Sequence, residues 1–300
     1  LDWFLPNEMD CSIVQYLDHL FNLGFCGEDG NKLVCGIKFL LPEYSRLGDL
    51  SLPRSTRAVK SMIAKAPSLQ RLPFPWLALC AVIGYLCQNN HVVPALMLLL
   101  QFRTYVRPGV FDRLIVSQLV APVLLAPPPY NCWGMTLYPS ESLVPGKTGT
   151  YDDAILLDTE LWLAPFLALL IQNRPPDALL WPVSTVLVAQ LFMEAVHALG
   201  MDDLHPVRYS LRHGGASDDI LSKRRRLLEV KRRGQWRTDQ SLRRYGKETK
   251  ATQELHKIPP SVLLFAKEVD QNLEAVFHLI VKPTLPDLQA PKKKQRRKKT

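Results

Sequence analysis

Three apolar segments constrain this chain more than anything else in it: "FPWLALCAVIGYLC" (74–87), "VVPALMLLLQF" (92–102) and "VLVAQLFMEAVHAL" (186–199). Each is interrupted by a proline or a polar residue before it reaches the ~20 apolar residues that a membrane helix needs. They are therefore expected to be helices buried in the core of a globular domain. A hydrophobic fraction of 47% supplies such a core,, and 300 residues suit one large domain or two modest ones,. The chain opens on Leu1 rather than Met, which reads as a piece of a longer protein, and no signal peptide is recognisable,.

Local patterns extend the reading. "DCSIVQYLDHLFNLG" has Asp10 at a capping position, apolar residues at Ile13, Leu17, Leu20 and Phe21, and Gly24 at its close, and is predicted to be an amphipathic helix,. "RSTRAVKSMIAKAP" predicts a short helix started by Ser55 and stopped before Pro67. "SLQRLPFPW" suits a linker, with a domain boundary near residue 72,. Two helices are expected between Trp76 and Phe102, separated by "QNNH", and Pro108-Gly109 should break the chain before another short helix. "CWGMTLYPSESLVPGKTGTYDDAILLD" predicts a hairpin, with Trp133, Met135 and Leu137 alternating on one arm and Ala154–Leu157 on the other,. Residues 183–199 predict a helix closed by Gly200, helices should dominate to about residue 280, and the chain from "KPTLPDLQAP" onward reads as disordered,. The fold class expected is mainly α (α+β), with one small antiparallel sheet.

The six cysteines (Cys11, Cys26, Cys35, Cys80, Cys87 and Cys132) form no C-x-x-C pair and no zinc spacing with histidine, which suits reduced thiols in an intracellular protein,. The net charge of +9 is concentrated in two blocks. Residues 223–250 hold 12 Lys/Arg against 3 Asp/Glu, and 291–300, "PKKKQRRKKT", hold 7 Lys/Arg and no acid. The rest of the chain has 18 basic and 25 acidic residues, a net −7. Such segregation points to a polyanionic partner. In the first block Arg224, Arg225, Arg232, Arg233, Arg237, Arg243 and Arg244 are the expected phosphate contacts. The second is expected to act as an electrostatic arm and a nuclear-import signal.

Two further stretches carry the chemistry: "SLRHGGAS" (210–217) and "RRGQWRTDQSLRRY" (232–245). They resemble the C-terminal motif segments of the tyrosine recombinase, or phage-integrase, family. Arg212 precedes Trp236 by 24 residues and Trp236 precedes Tyr245 by 9, intervals that fit the family's second arginine, its His or Trp, and its nucleophilic tyrosine. "YVRPGV" supplies Arg107 as the upstream arginine, and "PGKTGT" supplies Lys147 on the expected hairpin turn. The stretch through residue 67 resembles the end of the helical, SAM-like core-binding domain of eukaryotic mobile-element members. The resemblance implies a truncated core-binding domain over 1–72, a catalytic domain over 73–285 and a disordered basic tail over 286–300. It also implies strand cleavage and rejoining on double-stranded DNA, a homotetramer on two duplexes, residues 260–280 as a helix exchanged between neighbours, and a nuclear location. No cofactor, metal, membrane or small-molecule substrate is implied.

The implied roles make chemical sense. A phenol can attack a phosphodiester, expel the 5′-oxygen and conserve the bond as a 3′-phosphotyrosyl link. Two planar guanidinium forks, Arg107 and Arg212, suit the charge gathering on the non-bridging oxygens, and the Trp236 indole N–H adds a donor. Lys147 is the acid for the leaving oxygen. Two positions depart from the family pattern. Tyr209 stands where an imidazole is usual, three residues before Arg212, and Val110 stands where an acid is usual. "HPVR" also offers His205 and Arg208 as an alternative register, but Arg208 lies 37 residues from Tyr245 rather than 33, and "LRHGGAS" carries the rest of the motif. His205 or His213 remain possible helpers. Taken singly, each residue has an ordinary reading: a surface arginine, a solvated lysine, a capping pair, a core-anchoring tryptophan, an amphipathic tyrosine. Their order and spacing together favour the recombinase fold. The rivals are a DNA-binding protein of that fold without cleavage, and a basic helical scaffold for RNA or protein.

Overall fold

The computed structural model describes residues 5–67, 72–123, 125–146, 149–239, 242, 245–246 and 248–286. Lys147, Arg243, Arg244 and the basic tail lie outside the described residues. The chain divides into two compact units, Leu1–Arg71 and Leu72–Thr300, and the division falls inside the proline-containing stretch 68–76.

The first unit holds α1 (Pro6–Asn22), α2 (Gly27–Leu40) and α3 (Pro53–Lys65), packed on Ile13, Leu17, Val34, Tyr44, Leu52, Val59 and Met62. Helix α1 starts four residues before Asp10, at a proline whose missing N–H costs nothing in the first turn,. Asp10 caps a different helix. Its carboxylate accepts the backbone N–H groups of Arg54 and Ser55 at 2.9 Å each, in the first turn of α3. These hydrogen bonds outweigh its burial and hold the Asp10 carboxyl below the usual range,. Ser55 is likewise not the start of α3 but sits inside it, its hydroxyl donating back to Asp10.

In the second unit α4 (Trp76–Gln88) and α5 (Val92–Thr104) are apolar on every side, and both are buried, as helices of that composition must be,. They lead to α6 (Pro108–Phe111) and then to a sheet of β1 (Leu119–Val120), β2 (Trp133–Leu137) and β3 (Asp153–Leu157) in the order β1-β2-β3. The β2–β3 pair is the expected hairpin. Trp133 faces Leu157, Met135 faces Ile155, and Trp133, Met135 and Leu137 point inward,. Strand β1, which pairs Leu119 with Met135, is too short to have a sequence signature. After α7 (Ala164–Ile171) and α8 (Thr185–Ala198) come α9 (Arg208–Leu221), α10 (Leu227–Arg233), α11 (Glu248–Leu255), α12 (Pro260–Gln271) and α13 (Leu273–Phe277). The fold is mainly helical with a three-stranded antiparallel sheet.

Helices α12 and α13 hold most of the segment 260–280 expected to be exchanged between neighbours. Val262, Phe265, Ala266 and Val269 are buried against α4 of the same chain, where Gly84 leaves room for Phe265 and Val269.

The pair Gly214-Gly215 sets the position of α9. A Cβ on Gly215 would lie 1.8 Å from the Phe102 carbonyl oxygen, and one on Gly214 would lie 2.2 Å from that of Phe74. The glycines let α9 press directly onto the end of α5. Gly215→Ala is expected to destabilise the protein by at least the ~1–3 kcal/mol typical of overpacking, because the obstacle is backbone rather than a side chain that can turn away. A thermal midpoint equal to that of the wild type would refute this account of the motif.

Candidate active site

The end of α5, the N-terminal half of α9 and the loop after α10 converge on a small cluster made of Tyr105, Ala216, Val230, Leu242 and Tyr245, with Trp236 packed against it. Arg212, 2% exposed, is its charged member. One guanidinium nitrogen donates to the carbonyl of Tyr105, the left-handed residue that ends α5, and another donates to the carbonyl of Gly234. Gly234 is needed because the Trp236 ring folds back over it, and a Cβ there would lie 1.8 Å from that ring. The Trp236 ring then lies 4.7 Å from the Arg212 guanidinium, between Tyr105 and Tyr245. Arg212 Nε is buried with no partner among the described residues.

Arg107 caps α6 and donates to Gln235 Oε1 at 3.3 Å, and Gln235 Nε2 in turn donates to Asp153 Oδ2 at 2.9 Å. This relay joins Arg107 to Asp153, the first residue of β3. Burial first, and then the nearby Arg107 charge, hold the Arg212 guanidinium down at about 10,. Tyr138, Tyr209 and Tyr245 lie near enough to act on the same charge.

Tyr245 is 4% exposed, and its hydroxyl lies 2.7 Å from Nδ1 of His213 with the two rings stacked. Tyr209 meets the edge of the same imidazole, with ring centroids 5.0 Å apart. His205 is exposed at the end of a short 3₁₀ turn. Among the sequence-predicted residues, the structure therefore gathers Arg107, Arg212, Trp236, Tyr245 and Tyr209. It adds Gln235 and Tyr105, which carried no motif signal, and it singles out His213 over His205.

The expected phosphate-binding arginines divide sharply. Arg232 and Arg237 are exposed. Arg225 and Arg233 turn inward, which corrects the reading of the whole block as a solvent-facing cationic surface. Arg225 bridges Asp158 and Asp219, while Arg233, its side chain 8% exposed, donates to the Arg103 carbonyl and lies 3.6 Å from Asp158. Arg224 is more exposed yet pairs with Asp218 and Asp219 at 2.9 and 3.0 Å. Arg103, stacked on Trp76, joins Asp218 to Glu160. Four carboxylates and four guanidiniums thus neutralise one another behind Tyr105, whose hydroxyl donates to Asp219. Burial, and next the Asp219 charge, push that phenol well up. Arg208, rejected as the second arginine on spacing, forks onto Asp112. Asp112 lies two residues beyond Val110, the position where the family pattern has an acid.

Against this lattice Arg107 and Arg212 stand apart, because neither has a carboxylate partner among the described residues. Arg212 is buried without a counter-charge, which is costly,, and half-buried Arg107 is near enough to repel it, so an anion would complete the site. No helix among the described residues is long and apolar enough to cross a membrane. No protein-family model and no curated protein matches the chain.

Proposed function

We propose that this chain is a tyrosine-type DNA recombinase that cuts and rejoins duplex DNA through a 3′-phosphotyrosyl intermediate. One observation carries the reading. The two arginines that the motifs selected, Arg107 and Arg212, are left without carboxylates among the described residues, and Tyr245, in the expected register, is near enough to act on the Arg212 charge, while Arg103, Arg208, Arg224 and Arg225 are all ion-paired. A phosphodiester supplies the missing negative charge. Its non-bridging oxygens take the free N–H groups of Arg107 and Arg212, and these bonds strengthen as charge builds up on phosphorus-bound oxygen. Tyr245 is the nucleophile, Trp236 holds the phenol and the guanidinium in place, and Lys147 protonates the departing 5′-oxygen. The carbonyls of Tyr105 and Gly234 fix the Arg212 fork before substrate arrives, so the transition state does not bear the cost of orienting it. Exposed Arg232 and Arg237, with the basic tail, supply sequence-independent attraction to the duplex backbone. The resemblance to the family implies the setting: two duplexes held by four copies, in the nucleus.

The test is a nicked suicide duplex, in which the cleaved strand diffuses away and traps the covalent intermediate. The wild type is expected to give a protein–DNA adduct that resists denaturant, and Tyr245→Phe is expected to give none. An adduct formed by the phenylalanine variant would place the nucleophile elsewhere. Duplex binding with no adduct from the wild type would favour a DNA-binding protein that does not cleave.

A further inference from the structure

We infer that His213 is the proton acceptor for Tyr245, taking the role that the family pattern gives to an imidazole three residues ahead of the second arginine. The inference rests on the reading of Tyr245 as the nucleophile and adds the residue that activates it. Nδ1 of His213 lies 2.7 Å from the Tyr245 hydroxyl, and the rings stack with centroids 5.2 Å apart at 26°. Both side chains are buried, so little bulk water competes for this contact.

The helix explains why the position works. Successive residues of α9 project about 100° apart. Arg212 reaches the carbonyls of Tyr105 and Gly234, and His213, one step round, reaches Tyr245. Tyr209 precedes His213 by four residues and therefore shares its face. Its ring meets the imidazole edge-on at 64°, while the phenol of Tyr245 stacks on it. Trp236 packs 5.1 Å from Tyr245 and limits how far the phenol can swing. Tyr209 is thus a positioning residue for the imidazole, and the proton-accepting group has moved one helical turn along α9.

The step balances. The neutral imidazole carries its proton on Nε2 and offers the Nδ1 lone pair to the phenol. As Tyr245 Oη bonds to phosphorus, the bond from phosphorus to the 5′-oxygen breaks. The phenolic proton passes to Nδ1, and the 5′-oxygen takes a proton from the Lys147 ammonium. An ordinary imidazole titrates near ~6.5 and an ordinary phenol near ~10, so transfer accompanies bond formation rather than preceding it. The new imidazolium sits beside Arg212, and the bound phosphodiester offsets the repulsion between them.

The direction of the proton across the 2.7 Å contact is the decisive measurement. In protein carrying isotope-labelled histidine, nuclear magnetic resonance of the His213 ring nitrogens identifies which one is protonated. We expect the Nε2–H tautomer, with an Nδ1 resonance that moves in Tyr245→Phe. A proton on Nδ1 would make the imidazole a donor to Tyr245 and overturn the inference, whether or not the protein cleaves DNA. The second arm is single-turnover adduct formation by His213→Gln, whose amide can hydrogen-bond the phenol but takes up no proton. Its rate is expected to fall by about 10²–10⁴-fold with duplex affinity retained, and a wild-type rate would overturn the inference. If the wild type gives no adduct while His213 shows the expected tautomer and Tyr245 dependence, the proton-accepting contact stands and the nucleophile reading is what fails.

Discussion

Replacing Arg212 by lysine is expected to slow single-turnover adduct formation by about 10²–10³-fold or more, the loss seen when one transition-state donor is removed, while duplex affinity changes little. The charge is kept but the fork is lost. One ammonium cannot bond both the Tyr105 and the Gly234 carbonyl and still present two parallel donors to a phosphate,. On the proposed reading affinity survives, because the exposed arginines and the basic tail would share it over many backbone contacts. Rate and affinity measured on the same nicked duplex separate the two. A lysine variant that cleaves at the wild-type rate would show that Arg212 is only a strut between α5 and the loop after α10. Equal losses in rate and affinity would make it a general phosphate anchor.

Asp219→Ala is expected to be the most damaging single change to stability near the site. This carboxylate is 2% exposed and accepts from Tyr105, Arg224 and Arg225 together. Removing it strands a buried phenol and leaves the Arg225 side chain with Asp158 alone. Breaking a buried ion pair from one side costs about 3–5 kcal/mol, which for a unit of this size lowers the thermal midpoint by roughly 6–20 °C. Asp218→Asn is expected to cost far less. Burial outweighs the Arg103 and Arg224 charges there and raises the Asp218 carboxyl from its ordinary value, so ionised Asp218 contributes less to the fold than Asp158, whose carboxyl is lowered,. Acid titration adds a sign. Although burial opposes it, hydrogen bonding to Arg225 and the Arg233 and Arg225 charges hold Asp158 below the usual carboxylate range. Its contribution is therefore fully present above the unfolded value of ~3.9 and is lost as pH falls through the lower folded value. Asp158→Asn should flatten that limb of the stability curve. An unchanged midpoint in Asp219→Ala, or an unchanged acid limb in Asp158→Asn, would mean that the ion-pair lattice does not hold this region together.

The lattice has a functional consequence under the proposed reading. It fixes Tyr105, whose carbonyl and ring carry Arg212 and Trp236, so Asp219 variants that still fold should lose cleavage more than binding.

What the sequence determined by itself is what short-range periodicity encodes. The apolar runs at 76–87 and 92–102 had to be buried helices, and alternation at Trp133, Met135 and Leu137 announced a strand with one face in the core. Motif spacing selected Arg212, Trp236 and Tyr245, and the context "YVRPGV" selected Arg107, without any knowledge of where they lie. What only the tertiary structure decided is which charges meet. Asp10 has the look of a cap for its own helix, yet it caps one that begins more than forty residues later. Arg225 and Arg233 belong to a basic block that reads as a phosphate-binding surface, yet β3 ends where Asp158 can claim both. Tyr209 stands in the base position by count, yet the imidazole against the phenol is that of His213, because Gly214 and Gly215 press α9 onto α5 and fix its rotation. Periodicity is a property of one segment and survives in the bare sequence. An ion pair or a proton-transfer contact belongs to two segments distant in the chain, and its partner is chosen only when backbone packing brings them within about 3 Å.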